Sequence, residues 1–440
     1  MRWRVFLRAV SAVFQHWRRL SAVAIGGSVF LGSALAFVAD TSAQPASPAD
    51  LANWVDVRLH HTTDLSSARV TAQQGTLAVL LPDTETPPLR LSSNETLTLG
   101  HRPRDVFAAH DNATLYAGAL HLAPARNATW TLKIPPGTSR TYAGRLHIRR
   151  DSSGLQLINR VPLSEYVASV VASEYGLDGG AGARAMAVAA RTYALFSSTP
   201  SANNYDHVDG TASQVYKGRR AITKASRNAA QATRGEILTH DGTPIQAVYF
   251  SSSGGHTANN EDVWTGSDPL PYLRGKHDPY DRPSPKHRWT ARVNRRALLQ
   301  ALSLQQGASV NGFLLGERTS SGRLRTIELL RADDTRPEIE AGTFRATVNA
   351  RVDGTPLKST WFDARREGDA YVFEGRGHGH GVGLNQWGAH TMATQGKSYR
   401  EILSFYYPGT QIRSLDGVTT PPPLAEDPPP EAPPSSRIGW

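Results

Sequence analysis

The chain has 440 residues, of which 39% are hydrophobic and 8% aromatic, so it is long enough for two or three domains and too apolar for a disordered protein. It contains no cysteine, which excludes disulfides, a thiol nucleophile and cysteine-ligated zinc or iron–sulfur centres. The formal net charge is +10, but no basic stripe with interleaved aromatic residues accompanies it, so we predict no nucleic-acid partner.

The N-terminal segment predicts export. Five arginines accompany an apolar run over residues 21–39, and small residues follow at 41–43, which is typical of a secretory signal peptide spanning residues 1–43. The run nearly reaches membrane-spanning length, so an uncleaved signal anchor is the alternative, and only then would the protein contact a membrane. Both alternatives predict an extracytoplasmic protein: periplasmic, cell-wall-associated or secreted. Cleavage would remove five arginines and Asp40 and leave a net charge of +6, which suits an anionic wall polymer.

The remainder of the chain predicts an α+β fold. Short strand-like runs such as 55–59, 77–81, 89–91 and 144–148 alternate with turn-forming residues and predict a β-rich N-terminal module over residues 50–142. Mixed helix and strand patterns over residues 143–415 predict a second domain. Residues 416–440 contain PPPLAEDPPPEAPP, which predicts an extended, disordered tail. The sequence does not indicate what the β-rich module binds.

An acidic residue stands in an apolar stripe on the first predicted helix, residues 162–174. The stripe consists of Leu163, Tyr166, Val167, Val170 and Val171. Glu174 continues that stripe at the C-terminal end of the helix, whereas Glu165 lies on the opposite face. Partial burial and the negative end of the helix dipole both favour the protonated form of Glu174, which is what a general acid requires. The alternative is a frayed last turn in which Glu174 reaches water or pairs with an arginine.

The next apolar segment, residues 183–196, predicts a buried helix that is interrupted by Arg191. A buried guanidinium needs an anionic or carbonyl partner. Arg191 therefore either orients Glu174, binds substrate or forms a structural pair within the core.

Two segments rich in small residues predict binding loops. Residues 251–264, SSSGGHTANNEDVW, follow a strand and present Ser251, Ser252, His256 and Glu261. The alternative is an ordinary polar turn; a nucleophile elbow is excluded because the G-x-S-x-G spacing is absent.

The second segment, residues 375–388, reads GRGHGHGVGLNQWG. Its alternate glycines permit close backbone approach, and the helix expected near Leu384 could hold an anion or a sugar group at its N-terminus. His378 and His380 have a spacing seen among metal ligands, but no flanking carboxylate completes a set. We therefore favour packing and hydrogen bonding over metal binding and predict no metal.

Together these segments resemble the stage II sporulation protein D and amidase-enhancer family. The matching pieces stand in family order: VPLSEYVASVVASEYG, ARAMAVAARTYAL, SQVYKG, AVYFSSSGGHTANNEDVW, PYLRGKHDPYD, RTSSGRL, LKSTWF, GRGHGHGVGLNQWGA and YREILSFYYPGTQI. They cover about residues 143–413, which makes residues 143–415 the catalytic domain.

The resemblance implies a lytic transglycosylase that acts on peptidoglycan glycan strands, some family members requiring strands stripped of stem peptides. The family's catalytic glutamate corresponds to Glu174. It would protonate the bond between N-acetylmuramic acid and N-acetylglucosamine, then deprotonate the muramic 6-hydroxyl to give a 1,6-anhydro end. Attack by water instead would make the protein a muramidase-type hydrolase. The alternative function is a non-catalytic wall-binding enhancer of a cell-wall amidase, and either function is compatible with sporulation or general wall remodelling.

We predict no cofactor and a single catalytic residue, Glu174. The predicted substrate-binding residues are Arg191, Tyr193, Gln214, Tyr216, Ser251, Ser252, His256, Glu261, His378, His380 and Gln386. We expect Arg191, Ser251, His256 and His378 to converge with Glu174 in one cleft, with Glu174 in its wall. Some family members carry a Cys/His zinc cluster at the segment matching residues 206–214. This chain retains Asp206, His207 and Asp209 without the cysteines, so we predict no structural zinc.

Overall fold

The computed structural model describes residues 54–82, 89–125, 127–177, 180–197, 204–354 and 356–415; the predicted leader and Pro-rich tail lie outside these ranges. Within them the fold is α+β, as predicted, and the strands outnumber the helices. No helix in this part of the chain is long and apolar enough to cross a membrane.

The chain first forms a series of short strands whose side chains alternate between core and solvent. In the first strand Val55, Val57 and Leu59 are buried, because successive side chains of a strand point to opposite faces. The strands are β1 (Trp54–Leu59), β2 (Ser67–Gln74), β3 (Leu77–Leu80), β4 (Leu89–Leu91), β5 (Thr96–His101), β6 (Val106–His110), β7 (Ala113–Ala117), β8 (Leu120–Pro124), β9 (Thr129–Ile134), β10 (Thr138–Tyr142), β11 (Arg145–Asp151) and β12 (Gly154–Pro162).

These strands form two sheets that share one hydrophobic core. One sheet has the order β1-β12-β11-β8-β3-β4, with the short β13 (His207–Val208) pairing in parallel with β1. The other has the order β10-β9-β2-β5-β6-β7. Because β11 pairs with β8, and β12 with β1, the β-rich region continues to Pro162, past the boundary predicted at residue 142.

The helix that ends in Glu174 follows β12 directly. Helix α1 (Leu163–Glu174) begins directly after Pro162, which is the last residue of β12 and keeps an extended conformation (φ −56°, ψ 133°). Next come α2 (Ala181–Phe196), α3 (Lys224–Ala232), β14 (Glu236–His240), β15 (Thr243–Pro244) and β16 (Tyr249–Phe250). Helix α2 is buried over most of its surface, as predicted, and packs against α1 and α3.

Residues 288–376 build a second hydrophobic core that the sequence patterns did not predict. Its largest buried side chains include Phe344, Phe362 and Phe373. Its elements are β17 (Arg288–Asn294), α4 (Arg295–Gln306), β18 (Val310–Leu315), β19 (Thr326–Arg331), β20 (Glu338–Glu340), α5 (Ala341–Arg351), β21 (Phe362–Glu367) and β22 (Ala370–Arg376), arranged in sheets β17-β22-β21 and β18-β19-β20.

The chain then returns to the first core. Its last elements are β23 (Leu384–Asn385), α6 (Gln386–Thr394), α7 (Tyr399–Tyr406) and β24 (Gln411–Ser414). Strand β23 pairs in parallel with β16, so that Tyr249 lies opposite Leu384 and Phe250 opposite Asn385. This pairing brings the two predicted binding loops to the same place.

Candidate active site

Glu174 is the last residue of α1, and its side chain is partly buried. Its Oε1 atom accepts a hydrogen bond of 2.8 Å from the backbone N–H of Val215. Burial raises the pKa of Glu174; the Val215 N–H bond and the charge of Lys217 oppose that rise only in part. Since Oε1 acts as an acceptor, the proton of the neutral carboxyl group belongs on Oε2, where it is available for donation.

A hydrogen-bonded chain of tyrosines and an amide adjoins this acid. The hydroxyl of Tyr166 donates to Gln214 Oε1 at 3.0 Å, and Gln214 Nε2 donates to the hydroxyl oxygen of Tyr249 at 2.9 Å. Burial raises the pKa of Tyr193 and Tyr249, and the negative charge of Glu174 adds to both shifts. Because Tyr249 already accepts a hydrogen bond from Gln214, its own proton is available for a substrate oxygen or for Glu174.

Tyr216 follows Val215 in sequence, and its ring packs against that of Tyr166, with centroids 5.3 Å apart. Its ring is buried, and its hydroxyl donates to Asn159 Oδ1 at 2.8 Å. Its contacts are therefore those of a core residue.

The loop that follows β16 is fixed by a buried carboxylate. Asp281 is fully buried, and its oxygens accept hydrogen bonds from Ser252 Oγ at 2.8 and 3.0 Å, from the Ser253 N–H at 2.9 Å and from the Gly254 N–H at 2.8 Å. Ser251 remains beside this network, with its Oγ accepting a 3.3 Å bond from Lys286 Nζ. The Ser252 hydroxyl is thus hydrogen-bonded within the loop, whereas the Ser251 hydroxyl contacts the amine of Lys286.

The glycine-rich loop lies against this serine loop and requires its glycines. Ser252 N–H donates to His378 O at 3.1 Å, and His378 N–H donates to Ser252 O at 2.7 Å. Gly377 and Gly383 have positive φ angles of 72° and 78°. A Cβ atom at Gly377 would lie 2.6 Å from Ser252 O, and one at Gly383 would lie 2.1 Å from Val248 O. Both positions therefore need glycine for conformation and for close approach.

The two histidines of this loop are held in the neutral form. His380 Nε2 donates to Tyr249 O at 2.9 Å while its Nδ1 accepts from the Val382 N–H at 3.2 Å, so both ring nitrogens are engaged. Burial lowers the pKa of His380 to about 4 and the pKa of His378 to about 3. Among the described residues no group of three or more His, Asp or Glu side chains is arranged to hold a metal ion.

Three other predicted site residues, Arg191, His256 and Glu261, have structural contacts of their own. Arg191 is buried in α2 and donates to Glu236 O at 3.0 Å and Ala230 O at 3.1 Å, the carbonyl partners that its burial requires. His256 Nδ1 donates to Thr257 O at 2.6 Å. Glu261 binds both terminal nitrogens of Arg274, at 2.7 and 2.5 Å, which lowers the pKa of Glu261. Gln386 is buried at the first position of α6.

Sequence reasoning missed the side chains that lock the two loops together. Asn385 Nδ2 donates to Asp281 Oδ1 and to Asp278 Oδ2, at 2.8 Å each. The Tyr406 hydroxyl also donates to Asp278, at 3.2 Å. The segment KHDPYDR that contains both aspartates is strongly polar, so no local pattern marked these two acids as buried.

The segment that contains Asp206 and His207 is held by ring stacking and hydrogen bonds. His207 is buried, donates from Nε2 to Ala194 O at 2.9 Å and stacks between Tyr166 and Tyr193, with centroid distances of 5.8 and 6.2 Å. Asp206 and Asp56 exchange hydrogen bonds that tie the segment to β1. These contacts fix the rings of Tyr166 and Tyr193, two tyrosines whose pKa is raised by burial and by the charge of Glu174.

A surface depression of about 610 Å³ against α7 does not include Glu174. Its lining contains Lys276 and Phe405, but the Lys276 amine already donates to Phe405 O at 2.7 Å and lies 3.9 Å from that ring. We place the candidate active site at Glu174 because of its partly buried carboxyl group and the adjoining hydrogen-bonded chain of Tyr166, Gln214 and Tyr249.

Comparisons with known proteins point to one family. A family model described as stage II sporulation protein matches residues 151–240, a range that includes Glu174 and Gln214. Stage II sporulation protein D of Bacillus subtilis (strain 168) is 32% identical over 320 residues, covering 68% of this chain and 85% of that protein. The protein of the same name from Bacillus amyloliquefaciens is 32% identical over 280 residues, covering 59% and 76%. The amidase enhancer of Bacillus subtilis (strain 168) is 29% identical over 276 residues, covering 52% of this chain and 38% of that protein.

Proposed function

Since the chain belongs to the stage II sporulation protein D and amidase-enhancer family, we propose that it acts on the cell wall and cleaves the glycan strands of peptidoglycan with Glu174 as the catalytic acid. The observation that carries this proposal is the environment of Glu174: a carboxyl group at the end of a helix, partly buried, with a raised pKa and one oxygen fixed by the Val215 N–H. The substrate lies outside the cytoplasm, so the proposal includes export.

The proposed reaction needs only one protein carboxyl group. Neutral Glu174 gives its Oε2 proton to the glycosidic oxygen as the bond to the muramic anomeric carbon breaks. The muramic 6-hydroxyl oxygen bonds to that carbon, and its proton returns to Glu174. The product is a 1,6-anhydro end, and the enzyme is regenerated. Because the nucleophile belongs to the substrate, the second carboxylate of ordinary glycosidases is not required.

The residues around Glu174 support this chemistry. Burial keeps the carboxyl protonated at a pH where a solvated glutamate would be ionised. The Val215 N–H stabilises the carboxylate formed after proton transfer, as charge-assisted hydrogen bonds do. Tyr249 carries a hydroxyl proton that Gln214 leaves available for the departing sugar oxygen or for ionised Glu174.

A second candidate function is non-catalytic enhancement of a cell-wall amidase. One relative bears the name amidase enhancer, although this chain spans only 38% of it. Under this alternative Glu174 would be a structural residue, and its exchange for glutamine would leave the function intact.

Digestion of purified peptidoglycan separates the two candidates. Intact and amidase-stripped material is incubated with the wild-type protein, with Glu174→Gln and with the control Glu165→Gln, and new glycan ends are measured by mass spectrometry. Glu165 lies on the same helix but pairs with Arg219 and Arg227, at 3.5 and 3.3 Å. We expect new ends with the wild type and the control and none with Glu174→Gln. Unchanged ends in every sample, with faster stem-peptide release when an amidase is added, would support the enhancer function instead.

A further inference from the structure

The outer face of the sheet β1-β12-β11-β8-β3-β4 is rich in basic residues. The two hydrophobic residues of β11 are fully buried, so the side chains that alternate with them point away from the core. The strand pairing places Arg160 opposite Arg145 and His121 opposite His147 on this outer side. We call this surface the arginine face; its basic residues are Arg58, Arg145, Arg149, Arg160, His121 and His147.

Ion pairs neutralise part of the charge on the arginine face. Arg58 pairs with Asp151 at 2.7 Å, and Arg160 lies 3.8 Å from Asp56. Burial raises the pKa of Asp56 to about 6, although the charge of Arg160 opposes the rise, so Asp56 is a weak counter-ion. The other two arginines of the face form no ion pair with any residue that the structure describes.

This arrangement is unfavourable for the protein by itself. Arg145 and Arg160 are cross-strand partners, and like charges directly opposite each other destabilise a sheet. Arg149 is half-buried, and its Nε has no hydrogen-bond partner within the described part of the chain. A bound anion would reduce the repulsion and accept the hydrogen bond that this Nε–H can donate.

The two histidines add hydrogen-bonding groups to the arginine face without adding charge. The rings of His121 and His147 stack, with centroids 4.4 Å apart. Burial lowers the pKa of both, that of His147 to about 3, and the charges of Arg149 and Arg145 contribute to both shifts. Each neutral imidazole retains one N–H donor, which can serve an anion held by the neighbouring guanidinium groups.

We propose that the arginine face binds a linear polymer whose negative charges are phosphodiester groups, the chemistry of many anionic cell-wall polymers. The planar fork of an arginine matches phosphate oxygens, and the two unbridged oxygens of one phosphodiester can serve both members of the pair Arg145 and Arg160. The inference concerns the β-rich region and does not depend on the role proposed for Glu174. Binding there would hold the protein on the wall.

The shape of the arginine face favours a chain over other sources of phosphate. Arg145 and Arg149 stand four residues apart on β11, which separates their Cα atoms by roughly 13 Å, so the two positions suit successive charges of a polymer. The Arg58 side chain is 18% exposed, and Arg149 is half-buried. A flat membrane surface would not reach such recessed groups, whereas a thin chain can lie among them.

The test measures binding of labelled poly(glycerol phosphate) by fluorescence anisotropy. The glutamine variant carries Arg145→Gln and Arg149→Gln, and its charge-keeping counterpart carries lysine at both positions. The matched control carries Arg69→Gln and Lys133→Gln, which remove the same charge from exposed cross-strand partners on the other sheet. The competitors are polygalacturonate, single-stranded DNA, inorganic phosphate and phosphatidylglycerol vesicles.

We expect the glutamine variant to bind poly(glycerol phosphate) about tenfold more weakly than the wild type, the size of effect that two charge-assisted contacts support. The lysine variant should retain most of the affinity, and the control should retain all of it. Added salt should weaken the wild type more than the glutamine variant. The melting temperature of the glutamine variant should be unchanged or raised, because repulsion within the sheet is removed.

Equal affinity of the glutamine variant and the wild type would overturn the inference. A lowered melting temperature of that variant would also overturn it, because Arg145 and Arg149 would then be structural residues. Competition by polygalacturonate as strong as that by unlabelled poly(glycerol phosphate) would show a carboxylate site. Stronger competition by DNA, by vesicles or by inorganic phosphate would assign the face to that ligand and contradict a wall-polymer site.

Discussion

Replacement of Asp281 by asparagine tests whether this buried carboxylate fixes the binding loop. The substitution keeps the shape of the side chain and removes its charge, and it turns one acceptor oxygen into a donor –NH2 group. If the –NH2 group takes the place of Oδ1, it faces two other donors, the Ser253 N–H and Asn385 Nδ2. If it takes the place of Oδ2, it faces the Gly254 N–H and His287 Nδ1.

The number of hydrogen bonds lost sets the expected decrease in the free energy of unfolding. At least two buried donors lose their acceptor whichever way the amide turns, and each such loss costs about 1–2 kcal/mol, so Asp281→Asn should reduce the free energy of unfolding by about 2–4 kcal/mol. The loop over residues 251–254 should also lose order, which should lower the glycan affinity that we predict for Ser251.

Urea unfolding, followed by tryptophan fluorescence, measures the effect. The matched control is Asp334→Asn, at an exposed turn with φ of 62° where asparagine is well tolerated. The control should change stability by less than about 0.5 kcal/mol. If Asp281→Asn were as stable as the control, the hydrogen bonds assigned to Asp281 would not hold the loop, and our account of it would be wrong.

Three further predictions concern the site. Glu174→Gln should change the pH dependence of stability. Burial raises the pKa of Glu174 above its ordinary value of 4.5, so the wild-type protein loses stability as rising pH ionises this carboxyl group, whereas the variant does not. The melting-temperature difference between the two should therefore grow in favour of the variant from acidic to neutral pH; a constant difference would contradict a raised pKa. Tyr249→Phe should slow cleavage by about tenfold to a hundredfold, because the available hydroxyl proton is lost. The free energy of unfolding should fall by about 1 kcal/mol, because the Gln214 amide loses its acceptor. Unchanged rates in steady-state kinetics would refute the role of that hydroxyl. Chelator treatment should leave cleavage unchanged, because both ring nitrogens of His380 are already hydrogen-bonded; a loss of activity restored by added zinc would show that a metal takes part.

Local patterns were sufficient to predict the element that carries the acid. The 3.6-residue period of the apolar stripe placed Glu174 at its C-terminal end, and the structure has α1 ending at that residue. The burial of α2 and the strands of the β-rich region were predictable for the same reason, since each depends on neighbours in sequence. The α+β fold is confirmed on this basis.

The partners of the buried charges could not be predicted, because they come from distant parts of the chain. Burial of Arg191 implied a partner, but only the fold brings the carbonyls of Ala230 and Glu236 to its guanidinium. Asp281 likewise collects donors from residues 252–254 and from Asn385, more than one hundred positions further along. The second core, residues 288–376, was missed because it forms from pairings such as β17 with β22, far apart in sequence.

The family resemblance and the structure gave different information about the site. The resemblance, now confirmed, pointed to the wall and to Glu174. The structure adds the hydrogen-bonded chain from Tyr166 through Gln214 to Tyr249. Substrate-binding roles for the other predicted residues remain predictions.

The central claim is that Glu174 drives glycan cleavage with the muramic hydroxyl as nucleophile. The most direct measurement is digestion of stripped strands in water enriched in heavy oxygen, with wild-type protein and Glu174→Gln compared by mass spectrometry. We predict new 1,6-anhydro ends without heavy oxygen from the wild type and no new ends from the variant. Heavy oxygen in new reducing ends would show that water is the nucleophile, and equal cleavage by Glu174→Gln would contradict the role of Glu174.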